Sequence, residues 1–178
     1  ALARRGRQVR VLEARNIASG ASGGPGRRGV RANGRDLREL ALMTQAPKAW
    51  LALDEDLGAH HFYERTGHLL LLERERDLAS AHARVQMQQS QGIDCRLLAA
   101  QDCSRIQPGL TENVSAAIYC DNDGVCDHDG FTRAVARRAE ESGAIIEENV
   151  PVARIEVDGQ MATSVLTSDG RSIDVGGN

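Results

Sequence analysis

The sequence predicts an α/β chain in which two α/β pieces flank an inserted α+β region, with the outer fold incomplete at both ends. Three observations carry this. Gln8 to Glu13 alternates as a strand, ends on an acid and runs into a glycine-rich loop and a long helical stretch. The segment "DGFTRAVARRAEESGAIIEENV" has the punctuation of a helix followed by a strand. Between them, from Phe62 to about Tyr119, short helical and strand patterns mix. The expected divisions are residues 1–58, 59–119 and 120–178.

The opening "ALARRG" reads as the last turn of a helix closed by Gly6, with Arg4 and Arg5 on the negative end of its dipole. The strand follows, with Val9, Val11 and Leu12 apolar. Ile17 to Asn33, "IASGASGGPGRRGVRAN", is expected as a loop. Asp36 to Leu57 reads as a long helix, with Leu37, Leu40, Ala41 and Trp50 on its apolar stripe and Pro47 kinking or dividing it. "HFYERTGHLLLLE" is a strand, a turn at Thr66-Gly67 and a second strand. His60 and His61 follow a capping glycine and read as solvent-exposed. Asp77 to Gln91 is helical, capped by Gly92. Leu97 to Leu110 is a loop with a short helix at "AAQDCSRI", stopped by Pro108-Gly109. Ala116 to Cys120 is a strand entering an acidic turn. Asp129 is the expected N-cap of a helix over Gly130 to Ser142, with Gly143 after it and a strand at Ala144 to Glu147. The rest is strands separated by turns at Asp158-Gly159 and Asp169-Gly170.

A net charge of −3 supplies no basic excess for nucleic acid or an anionic membrane surface. No apolar run approaches the roughly 18 residues that span a bilayer, and the start lacks the pattern of a signal peptide. Cys95, Cys103, Cys120 and Cys126 match no zinc spacing and read as reduced structural thiols, so no metal is expected and a cytoplasmic setting fits.

An acid at the tip of a parallel strand has a specific use. In a dinucleotide-binding βαβ unit it accepts hydrogen bonds from ribose hydroxyls, about 20 residues after a G-x-G-x-x-G turn. Glu13 has that position relative to a turn expected before Ala1; an exposed surface glutamate is the alternative. The loop behind it carries six glycines between Gly20 and Gly34, more than a plain connection needs. Bare backbone allows close approach to a ligand. Ser19 and Ser22 add hydroxyls, and Arg27, Arg28 and Arg31 add guanidinium groups suited to phosphate, carboxylate or an anionic ring.

"LARRGRQVRVLEA…ASGASGGPGRRGVR" resembles the FAD-dependent D-amino acid oxidase superfamily, and within it the glycine and sarcosine oxidases, above all the sarcosine oxidase β subunit type. "DGVCDHDGFTRAVARRAEESGAIIEENVPVARIEVDGQMATSVLTSDGRSI" is similar as well. The resemblance covers nearly the whole chain and is loosest from Phe62 to Tyr119. It implies an FAD-binding Rossmann-like domain of glutathione reductase type with an inserted α+β substrate domain. It also implies these roles: Glu13 on the adenosine ribose; Ser19, Gly20, Ala21, Ser22, Gly23 and Gly24 along the pyrophosphate and flavin edge, with Arg28 and Val30 following; and Val152 meeting the adenine through its backbone. Gly-Pro-Gly at 24–26 departs from the family's loop contacts.

His128, in "GVCDHDG", is open to two readings. It is similar to the histidine that carries a covalent FMN in the sarcosine oxidase β subunit type, and Asp127-His128-Asp129 is more simply a polar turn leading into a helix. The resemblance implies oxidation of the C–N bond of an amino acid or secondary amine, by hydride transfer to FAD and hydrolysis of the resulting imine, with a hetero-oligomer among the expected assemblies. No catalytic residue is assigned. An NAD(P)-dependent dehydrogenase and a non-catalytic flavin-binding subunit or fragment are the alternatives; the loop after Glu13 argues against the first.

Overall fold

The computed structural model describes residues 1–20, 26–58 and 62–176. In chain order the strands are β1 (Arg10–Leu12), β2 (Arg27–Val30), β3 (Tyr63–Glu64), β4 (His68–Leu72), β5 (Cys95–Ala99), β6 (Ala116–Cys120), β7 (Gly124–Asp127), β8 (Ile145–Glu147), β9 (Val152–Asp158), β10 (Met161–Thr167) and β11 (Ser172–Asp174). The helices are α1 (Leu40–Met43), α2 (Ala46–Leu57), α3 (Leu78–Ser90), α4 (Ala100–Ile106) and α5 (His128–Glu141). The chain divides into two compact units, residues 1–26 with 128–178, and residues 27–127.

In the first unit, Gly6 closes a 3₁₀ turn over Ala3–Arg5 in the left-handed conformation. β1 and β8 pair in parallel, Arg10 against Ile145 and Leu12 against Glu147. α5 packs on β8. It ends in a Schellman motif: the Gly143 amide donates to the Glu140 carbonyl at 2.8 Å and the Ala144 amide to Ala139 at 3.0 Å. β9, β10 and β11 form an antiparallel meander with its turns at the two expected Asp-Gly pairs. α5 starts two residues earlier than expected. Asp129 therefore lies inside its first turn, where its carboxylate takes the Arg133 guanidinium at 3.0 Å.

The second unit holds two antiparallel sheets, β4-β6-β5 and β2-β7-β3. β6 is central in the first, and its residues Ala116, Ala117, Ile118 and Cys120 are buried. Of these, Ile118 and Cys120 join Ala32, Leu40, Ala81, Ile93 and Cys95 in the core that α3 covers. Burying a side chain such as Ile118 contributes about 1.5–3 kcal/mol. The expected 36–57 helix is divided: a 3₁₀ turn over Leu37–Glu39 and α1 are followed by a break at Thr44-Gln45 and then α2. Pro47 falls in the first turn of α2, where a missing amide costs no helical hydrogen bond.

Three strands lie where loop or turn was expected. β2 occupies the end of the glycine-rich segment, β5 precedes the short helix α4, and β7 follows the acidic turn. Each is a strand because a partner is beside it: β2 and β3 on β7, β5 on β6. β3 and β4, consecutive in sequence, join different sheets. The four cysteines are free and buried.

Candidate functional site

In the first unit the carboxyl end of the parallel pair is laced to the chain that leaves β8. The Glu13 amide donates to Glu147 at 2.9 Å, and the Glu13 carbonyl accepts from Val150 at 2.9 Å. The Asn149 amide donates to the Arg15 carbonyl at 2.8 Å. The Ile17 amide donates to the Glu148 carboxylate at 2.5 Å. Asn149 adopts φ 60°, a conformation that asparagine tolerates better than most side chains, and this turns the chain from β8 towards Pro151. Residues 13–17 and 147–150 thus form one braid at the strand ends.

Glu13 sits on that braid. It is half-buried, and its Oε1 accepts from the Arg15 amide at 2.8 Å. A bond back to the chain two residues on holds the carboxylate at the tip of β1, the position that strand polarity favours for a sugar diol. Behind it, Ala18 is buried at φ 67°, and the Ser19 amide bonds to the Asn16 carbonyl at 3.0 Å. A left-handed alanine marks a tight reversal that the rest of the turn must support. Ser19 and Gly20 are exposed on this turn; a Cβ at Gly20 would stand 3.0 Å from the Arg15 guanidinium. Ala21, Ser22, Gly23 and Gly24 lie outside the described residues, as do His60 and His61.

Val152 opens β9 two residues beyond Val150, so the braid brings its segment beside that of Glu13. His128 begins α5 and is buried. Its Nδ1 lies 2.9 Å from the Gly26 carbonyl, and among the described residues its Nε2 has no hydrogen-bond partner.

Arg28 and Val30 belong to the second unit, on β2. The chain after them is held by a buried polar network that the local sequence does not announce. Asp123 is 2% exposed, and its two carboxylate oxygens accept the Ala32 amide at 2.7 Å and the Asn33 amide at 2.9 Å. The Asn33 side chain donates to the Ile118 carbonyl at 2.8 Å, and the Gly34 amide donates to Gln88 at 3.1 Å. Asn33 and Gln88 are fully buried. Buried polar groups on this scale persist because each has partners. Glu148, Asn149, Asp123, Asn33 and Gln88 were not expected from the sequence. The one local signal was the polar "EEN" interrupting an apolar strand before Val-Pro.

The residues 1–175 match the family model described as FAD dependent oxidoreductase. The sarcosine oxidase subunit beta of Arthrobacter sp is 28% identical over 129 residues, 69% of this chain and 32% of that protein. A D-amino acid dehydrogenase of Sinorhizobium medicae (strain WSM419) is 26% identical over 137 residues, 75% of this chain and 33% of that protein. Among solved structures, L-proline dehydrogenase from P. horikoshii superposes with a TM-score of 0.84 at 28% identity, covering 97% of this chain and 46% of that one. Glycine oxidase from Bacillus cereus ATCC 14579 does so with a TM-score of 0.75 at 30% identity, covering 97% and 48%. The chain thus spans about a third of the curated relatives and just under half of the solved chains. With its braided strand ends and near-complete match, this chain belongs to the FAD dependent oxidoreductase family.

Proposed function

We propose that the protein containing this chain oxidises the C–N bond of an amino acid or secondary amine with FAD. The observation that carries the reading is the Glu13 carboxylate held at the carboxyl end of a parallel strand pair, on a chain that matches an FAD dependent family over nearly its whole length. The residues fit the adenosine half of the cofactor. Glu13 would hold the ribose diol by charge-assisted hydrogen bonds, and the backbone at Val152 would meet the adenine edge. Ser19 and Gly20, with Ala21, Ser22, Gly23 and Gly24 after them, would line the pyrophosphate and flavin edge, although the Ser19 amide itself is held by the Asn16 carbonyl. Arg28 and Val30 would stand at the flavin edge. FAD, when bound, supplies the two-electron acceptor for the carbon next to nitrogen.

The rest of the assignment follows. Residues 1–58 and 120–178 would serve the cofactor and 59–119 the substrate. His128 would carry no FMN, because it is buried and its Nδ1 is spent on the Gly26 carbonyl. A cytoplasmic setting accords with four free cysteines. No helix among the described residues is long and apolar enough to cross a membrane. A hetero-oligomeric assembly is proposed on the likeness to a protein named as a subunit. The test is purification of the full-length protein, its flavin spectrum, and amino-acid-dependent reduction of an artificial electron acceptor. Yellow protein that reduces the acceptor with an amino acid supports the reading. Colourless protein that binds no FAD defeats it.

A further inference from the structure

The chain leaving β1 is tied to the chain leaving β8 at every second residue. The Glu13 carbonyl accepts from Val150 and the Arg15 carbonyl from Asn149, both through the main chain. The third tie differs. The Ile17 amide donates to a side chain, the Glu148 carboxylate, at 2.5 Å. A charged acceptor makes such a bond stronger than a neutral one. Arg133 on α5, itself paired with Asp129, adds an attractive charge for Glu148. Glu148 is exposed, so core packing does not account for a side chain at this place.

The position of the tie gives it a meaning. Ile17 directly precedes Ala18, buried at φ 67°, a conformation that alanine keeps only when its surroundings enforce it. On the other side, the Glu13 carboxylate bonds to the Arg15 amide, so it moves with the peptide that these ties fix. We propose that Glu148 is a positioning residue for the flavin cofactor: by holding Ile17 it keeps the Glu13 carboxylate and the Ser19–Gly20 reversal where the adenosine half of FAD meets them. The inference rests on the FAD reading above and adds to it a residue that touches no part of the cofactor. A contact group placed before the ligand arrives costs less to order on binding.

The test is a double-mutant cycle on the full-length protein, read as the FAD dissociation constant in a fluorescence titration after removal of flavin. Glu148→Ala should weaken FAD by about three- to tenfold, the loss expected for one hydrogen bond. Glu148→Gln keeps an acceptor oxygen at the same reach and should recover most of the affinity. Glu148→Ala added to Glu13→Ala should cost clearly less than it costs the parent, because residues that act together are not additive. If Glu148→Ala does not fold, Glu148→Asp, one methylene shorter with the charge retained, takes its place in the cycle. Affinity equal to the parent overturns the inference and leaves the proposed function standing. So does a loss that is additive with Glu13→Ala or that Glu148→Gln does not recover, since either marks a merely structural role. A parent that binds no FAD defeats the proposed function, and this inference falls with it.

Discussion

Asp123 Oδ2 accepts the backbone amide of Asn33 at 2.9 Å, across 90 residues of sequence and almost fully out of water. The companion oxygen takes the Ala32 amide at 2.7 Å. One side chain thus replaces a ladder of backbone bonds for the stretch after β2. Asp123→Ala leaves two buried amides without acceptors and should cost about 2–4 kcal/mol. Asp123→Asn keeps one acceptor oxygen but turns an amino group towards an amide, and should lose less. Urea unfolding of the parent and both variants measures this; a change within about 0.5 kcal/mol for Asp123→Ala would show that the network is dispensable.

Glu13 carries the proposed cofactor contact through a charged acceptor, a kind of hydrogen bond worth about 1.5–3 kcal/mol. Glu13→Ala in the full-length protein should therefore weaken FAD binding by about 10–100-fold. Far-ultraviolet circular dichroism should not change, because the braid at this position is made by the main chain. Flavin absorbance per protein after desalting is the measurement. Equal flavin in mutant and parent removes the assignment.

Peptides containing His128 should have unmodified mass after digestion of the full-length protein. The ring is buried at the start of α5, and its Nδ1 faces the Gly26 carbonyl. A peptide heavier by the mass of FMN would restore the reading drawn from the "GVCDHDG" resemblance.

The parts of the fold that could be read from sequence are those with local causes. The ends of α3 and α5 were visible in Gly92 and Gly143, and the meander in its two Asp-Gly turns. β6 was visible as a dense apolar run. β2 was not, because "RRGV" has neither alternation nor bulk; it is a strand only because β7 lies beside it. The candidate site divides the same way. Glu13 could be found because strand polarity gives the acid at a strand tip a meaning. Asp123 sits in "DNDG", which reads as a solvated turn, and its role depends on two amides from a distant segment. No local pattern encodes that encounter.

Gly124 makes a steric test of the β3–β7 pairing. It opens β7, and a Cβ there would collide with the Glu64 carbonyl oxygen and stand 3.0 Å from the Arg65 Cα. Both are backbone, so no rotamer change relieves the clash. Gly124→Ala should destabilise the protein by about 1–3 kcal/mol, the range for overpacking, although the same change in an open strand is mild or favourable. Gly29→Ala on β2 is the control, since its Cβ would meet nothing within 4 Å. Equal midpoints for the two variants in thermal unfolding would show that the strands have room to separate.

His68 gives the second unit an acid-sensitive point. It begins β4, and its Nδ1 is buried with no hydrogen-bond partner among the described residues. Burial pushes its pKa below the ordinary histidine value; Asp123 pulls it back up, and Arg31 adds to the lowering. In the unfolded chain this imidazole takes up a proton near pH ~6.5. In the folded protein it resists until the pH is lower. Over the window between the two, the unfolded state binds more protons, so stability must fall as the pH falls. Above the window both states are neutral and the effect disappears. Unfolding free energy measured from about pH 7 to 5 should decline in the parent, and His68→Gln should make the decline shallower. Identical slopes would show that His68 titrates alike in both states and that its buried nitrogen is reached by water.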